Sequence, residues 1–232
     1  KKKNYDVFVF FFEGYLEWNI PSIDVIYFLE LLNLPFTGPT SLLYDPPKDL
    51  MKYVAYTAGI NTPAFALVES LNDIEKACGH LQYPLFVKPD KAGDSLGIDQ
   101  QSLVYTKDEL LKKCATIIEE YGPLLVEEYI DGREFTVMLV ADAEDEKTCK
   151  VFKPVEYIFP KGFEFKTYAL KTYELHPEAN IPCNDSVLEQ QLTDAAVQIF
   201  QGFGGLGYAR LDFRVNKKNE IFFLEINFTC SV

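Results

Sequence analysis

Residues 208–230 read YARLDFRVNKKNEIFFLEINFTC, and the fold turns on how that stretch pairs with itself. Ala209, Leu211, Phe213 and Val215 alternate with Arg210, Asp212 and Arg214, the period-two pattern of a strand with one apolar face. A polar Asn-Lys-Lys-Asn turn at residues 216–219 leads into a second strand over residues 221–226. Antiparallel pairing brings Asp212 opposite the end that carries Glu225 and Asn227, and alternation points those two the same way. Two carboxylates and an amide make an all-oxygen donor set with octahedral positions left open. Mg²⁺ suits such a set, because it keeps waters and takes further ligands from a nucleotide's phosphates. Arg210 shares the face of Asp212 and offers a fixed cation for charge that develops in acyl or phosphoryl transfer. The same letters also describe a hairpin with a solvated polar face, so the rest of the chain has to decide.

The 232 residues can bury a large core as one or two domains. A hydrophobic content of 48% with 25% charged residues is that of a globular chain. No apolar run reaches the roughly 18 residues of a membrane span, and Lys1-Lys2-Lys3 before VFVFFF reads as the lead into a buried strand rather than a secretory leader. A formal net charge of −13 repels nucleic acid and anionic lipid. Neither nucleic-acid binding nor membrane insertion is therefore expected, and a phosphate-bearing ligand needs a local cluster of Lys and Arg. The five cysteines, Cys78, Cys114, Cys149, Cys183 and Cys230, are odd in number and lack CxxC spacing. They point to free thiols in a reducing compartment, so a cytoplasmic location is expected. His80 and His176 are expected at the surface without a chemical role.

From the start, a strand over residues 5–12 and a helix from Pro21 to Asn33 form one strand-helix unit of an open α/β sheet. One unit cannot cover both faces of such a sheet, so residues 1–45 are expected to be part of a larger α/β domain. A second helix spans about residues 48–58 and stops at Gly59. Strands at 65–68 and 84–88 flank a helix containing Ile74, Ala77 and Cys78. Thr106-Lys-Asp-Glu109 is a capping box for the next helix. LLVEEYI and REFTVMLVA are two strands, and Asp131-Gly132 between them reads as a hairpin turn. KVFKPVEYIF is a further strand. Residues 160–182 lack a clear period and are expected to be a long loop that acts as a lid. Ser186 caps a helix through Phe200, and four glycines lead back to the opening hairpin. There is no internal repeat.

Between Lys88 and Gly97 lies KPDKAGDSLG. Gly93 and Gly97 let backbone N–H groups approach a phosphate, Ser95 can donate a hydrogen bond and Lys88 can meet phosphate charge. By itself such a loop is more often only a turn. Its company is more telling: a lysine ending a strand, a glycine loop, a Glu-Glu strand followed by Gly-Arg-Glu, a lid with a lysine, then Asp and Glu-x-Asn on adjacent strands.

That order, with IPSIDVIYFLELLNLPFTGPT, AGINTPAF, YPLFVKPDKAGDSLGI, LLVEEYIDGREFTV, ARLDF and LEIN, resembles the ATP-grasp superfamily, specifically proteins similar to D-alanine:D-alanine ligase, over almost the whole chain. The resemblance implies an α/β (α+β) ATP-grasp fold in which two subdomains grip ATP. The ATP-grasp domain would cover residues 46–232, with a nucleotide-gripping subdomain over about 60–130 and a central and C-terminal subdomain over about 131–232. Residues 1–45 would belong to the preceding domain. It implies Lys48 and Lys88 on the inner phosphates, with Gly93, Ser95 and Gly97 in the loop over them. Glu127 and Glu128 fall at the adenine amine and the hinge strand, Ile130 in the adenine slot and Glu134 at the ribose hydroxyls. Lys171, in FEFKTYALKTY, would reach the γ-phosphate. Arg210 would steady the acyl-phosphate and tetrahedral intermediate, and Asp212, Glu225 and Asn227 would hold Mg²⁺, with Mn²⁺ able to substitute.

The implied chemistry joins a carboxylate to an amine: the carboxylate takes the γ-phosphoryl group of ATP, and the amine then displaces phosphate from the acyl-phosphate. Arg210, Lys171 and Ser95 are the catalytic candidates. The implied partners are ATP and a small amino-acid-like carboxylate, with a homodimer or a larger chain or assembly around this one. The chain departs from D-alanine ligases at FFFEGYLEWN, where they carry a His-Gly-x-x-Gly-Glu type stretch, and after Asn227, where they carry Thr-x-Pro-Gly. Asp94 replaces a frequent serine. The substrate thus stays unnamed, and the alternative is a degenerate or structural nucleotide-binding module within a larger protein.

Overall fold

The computed structural model describes residues 6–10, 23–91, 95–142, 148–168, 170 and 179–228. Two antiparallel sheets carry them. The smaller sheet has the order β1-β4-β2-β3, from β1 (Phe65–Val68), β2 (Leu85–Pro89), β3 (Leu103–Val104) and β4 (Leu124–Glu128). The larger has the order β10-β9-β5-β7-β8, from β5 (Gly132–Ala141), β7 (Val155–Tyr157), β8 (Asn180–Pro182), β9 (Tyr208–Asn216) and β10 (Ile221–Asn227), with β6 (Cys149–Val151) also paired to β5.

Alternation decides what each sheet buries. In the small sheet Leu85, Val87, Leu124 and Val126 point to a core closed by α3 (Ile74–Cys78) and α4 (Lys107–Tyr121). Phe86, Lys88, Leu125 and Glu127 are thereby committed to the opposite face. In the large sheet Phe135, Val137, Leu139, Ala209, Leu211, Phe213 and Val215 pack under α2 (Lys48–Thr57) and α5 (Ser186–Gly202). Each of those seven is fully buried. Glu134, Thr136, Arg210, Asp212 and Arg214 face the other way, toward the small sheet. At about 25 cal/mol per Å² of apolar surface, each of these phenylalanines contributes on the order of 2–3 kcal/mol, enough to fix the register.

The expected β9–β10 hairpin forms, with Asn219 at φ 61 and the Asn216 side-chain oxygen accepting from the N–H groups of Lys218 and Glu220. Its ladder carries a bulge: Phe223 lies opposite Phe213, but Glu225 lies opposite Asp212, so Leu224 is extra. The bulge reverses the strand's parity. Phe223 and Ile226 both enter the core, while the consecutive Leu224 and Glu225 both face the space between the sheets.

Asp131-Gly132 is not a hairpin turn. β4 and β5 belong to different sheets, and the chain crosses from one to the other at this point. Gly132 starts β5 against β9, where an added Cβ would sit 2.0 Å from the Val215 carbonyl oxygen. The glycine is there for close backbone approach, not for turning back.

Other expectations need smaller corrections. Asp185, not Ser186, caps α5, accepting from the N–H groups of Val187 and Leu188. Thr106 caps α4 through the Glu109 N–H as expected, but Glu109 reaches back to the N–H of Tyr105. Pro154 divides the predicted KVFKPVEYIF strand into β6 and β7. The 160–182 segment ends in a strand, β8, on β7, while 171–178 lie outside the described residues. Near the start, α1 (Ile23–Leu31) forms and Phe8 makes a parallel bridge to Phe36; the rest of the predicted first strand lies largely outside the described residues.

Candidate active site

A cleft open to solvent separates the two sheets. Phe86, Lys88, Glu127, Glu128, Tyr129 and Ile130 line it from the small sheet and the crossing, Glu134, Asp212, Arg214, Leu224 and Glu225 from the large one, and Ser95, Ile98, Phe165 and Lys166 from the loop and the 160–182 segment. Eight of the residues expected at the site therefore meet around one space: Lys88, Ser95, Glu127, Glu128, Ile130, Glu134, Asp212 and Glu225.

At one end Phe86, Tyr129 and Phe165 form an aromatic group, with Phe165 edge-on to Phe86 at 4.9 Å. Ile130, Leu224 and Pro63 complete a flat apolar slot. Glu128 borders it, its carboxylate accepting from the Gln82 N–H at 2.8 Å.

In the middle Glu127 is buried between two lysines: Lys88 Nζ lies 2.6 Å from Oε1 and Lys52 Nζ 2.9 Å from Oε2. Burial would raise the Glu127 carboxyl, but Lys52 and Lys88 outweigh it and hold the group down to about 2. Burial pushes Lys52 down to about 8 against the pull of Glu127, and Lys52 also reaches the Phe223 carbonyl at 3.4 Å, linking the sheets. For Lys88, burial acts downward and Glu127 with Glu225 acts upward; the carboxylates win and the amine stays charged. Lys48 stands at the first turn of α2 and donates to the Asp90 carbonyl at 3.2 Å. Burial lowers its amine, opposed by Glu225.

Across the cleft the hairpin register sets Glu225 against Asp212 and Asn227 against Arg210. Thr136 donates to Asp212 Oδ1 at 2.7 Å, and Arg210 Nε lies 3.5 Å from the same oxygen. Asn227 has a buried Nδ2 without a hydrogen-bond partner among the described residues. Rotating the amide puts Oδ1 in that orphaned place, an oxygen offered beside two carboxylates, which is the donor set a hard divalent cation takes.

Beyond them Glu134 is held on both oxygens, by Lys166 Nζ at 2.9 Å on Oε1 and by Arg214 Nη2 at 3.1 Å on Oε2. Lys166 also lies over the Tyr157 ring at 4.8 Å. Burial would lower its amine, but Glu134 and then Asp212 outweigh it and raise it. Gly97 is near the cleft in a different capacity. Its φ is 74, and an added Cβ would sit 2.8 Å from Pro89, so it fits the loop against α4. Ser95 lines the cleft with φ 59. Gly93 and Lys171 lie outside the described residues.

Lys52, Lys166 and Arg214 were not among the residues expected at the site. Arg214 follows Asp212 by two in the alternation that placed Arg210, Lys52 follows Lys48 by four on one helix face, and Lys166 sits in the same 160–182 stretch of sequence as Lys171.

The described cysteines, Cys78, Cys114, Cys149 and Cys183, are free thiols. No helix among the described residues is long and apolar enough to cross a membrane.

Similarity to known proteins agrees with this geometry. The chain is 29% identical over 201 residues to the D-alanine–D-alanine ligase of Aquifex aeolicus, covering 86% of this chain and 64% of that protein. It is 31% identical over 210 residues to D-alanine–D-alanine ligase B of Clostridium tetani, covering 85% and 56%. The chain thus spans about six tenths of the length of the curated relatives it matches. The VanG D-Ala:D-Ser ligase of Enterococcus faecalis superposes with a TM-score of 0.77 at 24% identity, over 99% of this chain and 65% of that one. The D-alanine–D-alanine ligase of Bacillus anthracis, solved in complex with ATP, gives 0.67 at 22% identity over 88% and 62%. These likenesses give the chain the ATP-grasp fold. The family described as D-ala D-ala ligase C-terminus matches residues 54–230, and with most of its length so matched the chain belongs to that family.

Proposed function

We propose that this chain is the nucleotide-gripping part of an ATP- and Mg²⁺-dependent carboxylate–amine ligase, acting on a small amino-acid-like carboxylate whose identity is open. One observation carries the reading: the two sheets face each other across a cleft with buried lysines on one wall and an in-register pair of carboxylates on the other. The apolar slot between Phe86, Ile130 and Phe165 suits a flat base. Lys88 and Lys48 then stand where polyphosphate charge would fall, and Ser95 caps it from the loop. Glu134 faces the sugar. Residues 46–232 form the ATP-grasp unit in this reading, and residues 1–45 a part of the domain before it.

Asp212, Glu225 and Asn227 would hold Mg²⁺. When bound, it neutralises and orients phosphate oxygens. The chain's own residues do the rest. Arg210, fixed beside Asp212, is placed to stabilise negative charge on an acyl-phosphate or tetrahedral intermediate. The lid, with Phe165 and Lys166 already on the cleft, excludes water from a reactive acyl group. Lys171 belongs to the same lid and is assigned to the terminal phosphate. The reaction requires no nucleophilic cysteine or histidine.

Thermal melts of wild type and Glu225→Gln, each with and without Mg-ATP, test the proposal. Ligand at about a hundred to a thousand times its dissociation constant should stabilise wild type by about 3–4 kcal/mol. Glu225→Gln should lose that stabilisation. A wild-type melt unmoved by Mg-ATP sinks the reading.

A further inference from the structure

The cleft holds a guanidinium that phosphate binding, metal binding and base stacking leave without a task. Arg214 is almost wholly buried, 3% exposed, on the cleft face of β9. Its Nη1 donates to the Tyr129 hydroxyl at 3.2 Å and the Gly132 carbonyl at 3.1 Å; its Nη2 donates to the Glu164 carbonyl at 2.5 Å and pairs with Glu134 Oε2 at 3.1 Å. The rings of Tyr129 and Phe159 flank it at 5.2 and 5.3 Å. One side chain thus ties together the crossing between the sheets, the start of β5, the lid backbone and the carboxylate that faces the cleft.

We propose that Arg214 is a positioning residue for the sugar of the nucleotide: it fixes Glu134 to accept the two ribose hydroxyls. The inference rests on the nucleotide reading of the cleft, with Glu134 at the ribose.

The chemistry follows from the donor count. A carboxylate offers about four acceptor directions, two per oxygen. Arg214 takes one on Oε2 and Lys166 one on Oε1. Each oxygen keeps another, and two oxygens of one planar group match the two hydroxyls of a vicinal diol. Loss of either hydroxyl would leave a desolvated, ionised acceptor unmet, which costs about ten- to a hundredfold in binding. The reading is sharp only if the carboxylate cannot turn. Arg214 supplies that restraint, because a planar fork with four partners has one orientation where an ammonium would have many. Its Nη2 also holds the backbone carbonyl of Glu164 and the carboxylate together, and Lys166, which completes Glu134 from the other side, lies two residues on in the same segment.

A residue that merely stabilises the cleft would weaken all nucleotides alike, so the readout is a ratio. Isothermal titration with Mg-ADP, Mg-2′-deoxy-ADP and Mg-3′-deoxy-ADP on wild type, Arg214→Met, Arg214→Lys and Glu134→Gln separates the roles. Wild type should prefer ADP over either deoxy form by about ten- to a hundredfold. Arg214→Met should bind ADP more weakly and the deoxy forms about as before, so the ratio falls toward one. Arg214→Lys, which keeps the buried charge and decides the matter where the Met variant does not fold, should give an intermediate ratio. Glu134→Gln should abolish the preference. If Glu134→Gln abolishes it while both Arg214 variants keep the wild-type ratio, the inference is overturned and the ribose reading stands. If Glu134→Gln keeps the ratio, or wild type shows none, the ribose reading itself fails and takes the inference with it. Wild type that binds no ADP removes the nucleotide reading first.

Discussion

On the small-sheet wall of the cleft two ammonium groups share one carboxylate, Lys52 and Lys88 on Glu127; on the large-sheet wall two carboxylates, Asp212 and Glu225, stand opposite each other with the single guanidinium of Arg210 beside Asp212. The first is rich in ammonium groups and suits an anion, while the second is rich in carboxylate and suits a cation. They also differ in what holds them. Glu127 and Lys52 are buried against each other and form part of the fold, whereas Glu225 is only half-buried, on the cleft face of the edge strand β10. A buried pair is costly to break on one side. A half-exposed carboxylate is cheaper to neutralise, even one that also acts on Lys48 and Lys88. The difference teaches which charges the fold needs most and which it can share with a ligand.

Breaking the first wall should have the largest effect. Glu127→Gln leaves two buried ammonium groups without a counter-charge and is expected to cost about 3–5 kcal/mol in urea unfolding. A loss below 1 kcal/mol would mean the triad is not structural. Acid sharpens the same point. The Glu127 carboxyl is held down to about 2 from an ordinary 4.5. A depressed acid contributes its stability in full above the unfolded value and loses it as pH falls through the folded one. Wild type should therefore lose about 3 kcal/mol between pH 4.5 and 2 that Glu127→Gln does not lose. Parallel stability curves for the two proteins in that window would contradict it.

Next in size comes the ligand. Lys88→Met should weaken ADP by about 2–3 kcal/mol and adenosine by much less, because only ADP brings phosphate to the amine. Equal losses in titration calorimetry would move Lys88 from the binding wall to the structural one. The smallest effect is expected opposite. Glu225→Gln without metal should cost well under the roughly 3–5 kcal/mol expected of Glu127→Gln, because the half-exposed amide keeps the shape and the lost repulsion with Asp212 offsets the lost attraction to Lys48 and Lys88. A large loss there would erase the contrast between the walls.

The hairpin, the strands of the small sheet and the residues around the cleft were legible because period-two burial forces every second side chain outward, and those side chains were charged in the right places. The crossing at Asp131-Gly132 was misread for a physical reason. An Asp-Gly step frees the backbone equally for folding back and for passing under a neighbour, and only the Val215 carbonyl shows which applies. Lys52 was hidden by habit rather than physics: it lies four residues after Lys48 on a helix whose other buried residues are Met51 and Ala55, so its burial was readable. Arg214 stood in the opening stretch itself, but its partners Tyr129, Gly132 and Glu164 are distant in sequence, and nothing local announces them. The bulge at Leu224 was invisible because Phe222, Leu224 and Ile226 already read as one unbroken apolar face opposite Glu225 and Asn227.

That bulge also governs how the hairpin can change length over descent. A strand that loses a residue normally turns all its later side chains to the wrong face at once. At Leu224 the surplus residue is already outside the ladder, so its deletion closes the pairing and leaves Glu225 opposite Asp212. Deletion of Ile226, two positions on, has no such slack and turns Asn227 inward to the core. Relatives one residue shorter in this hairpin can therefore keep their acidic pair if the gap falls at Leu224, and the interval from Glu225 to Asn227 is where length has to stay constant.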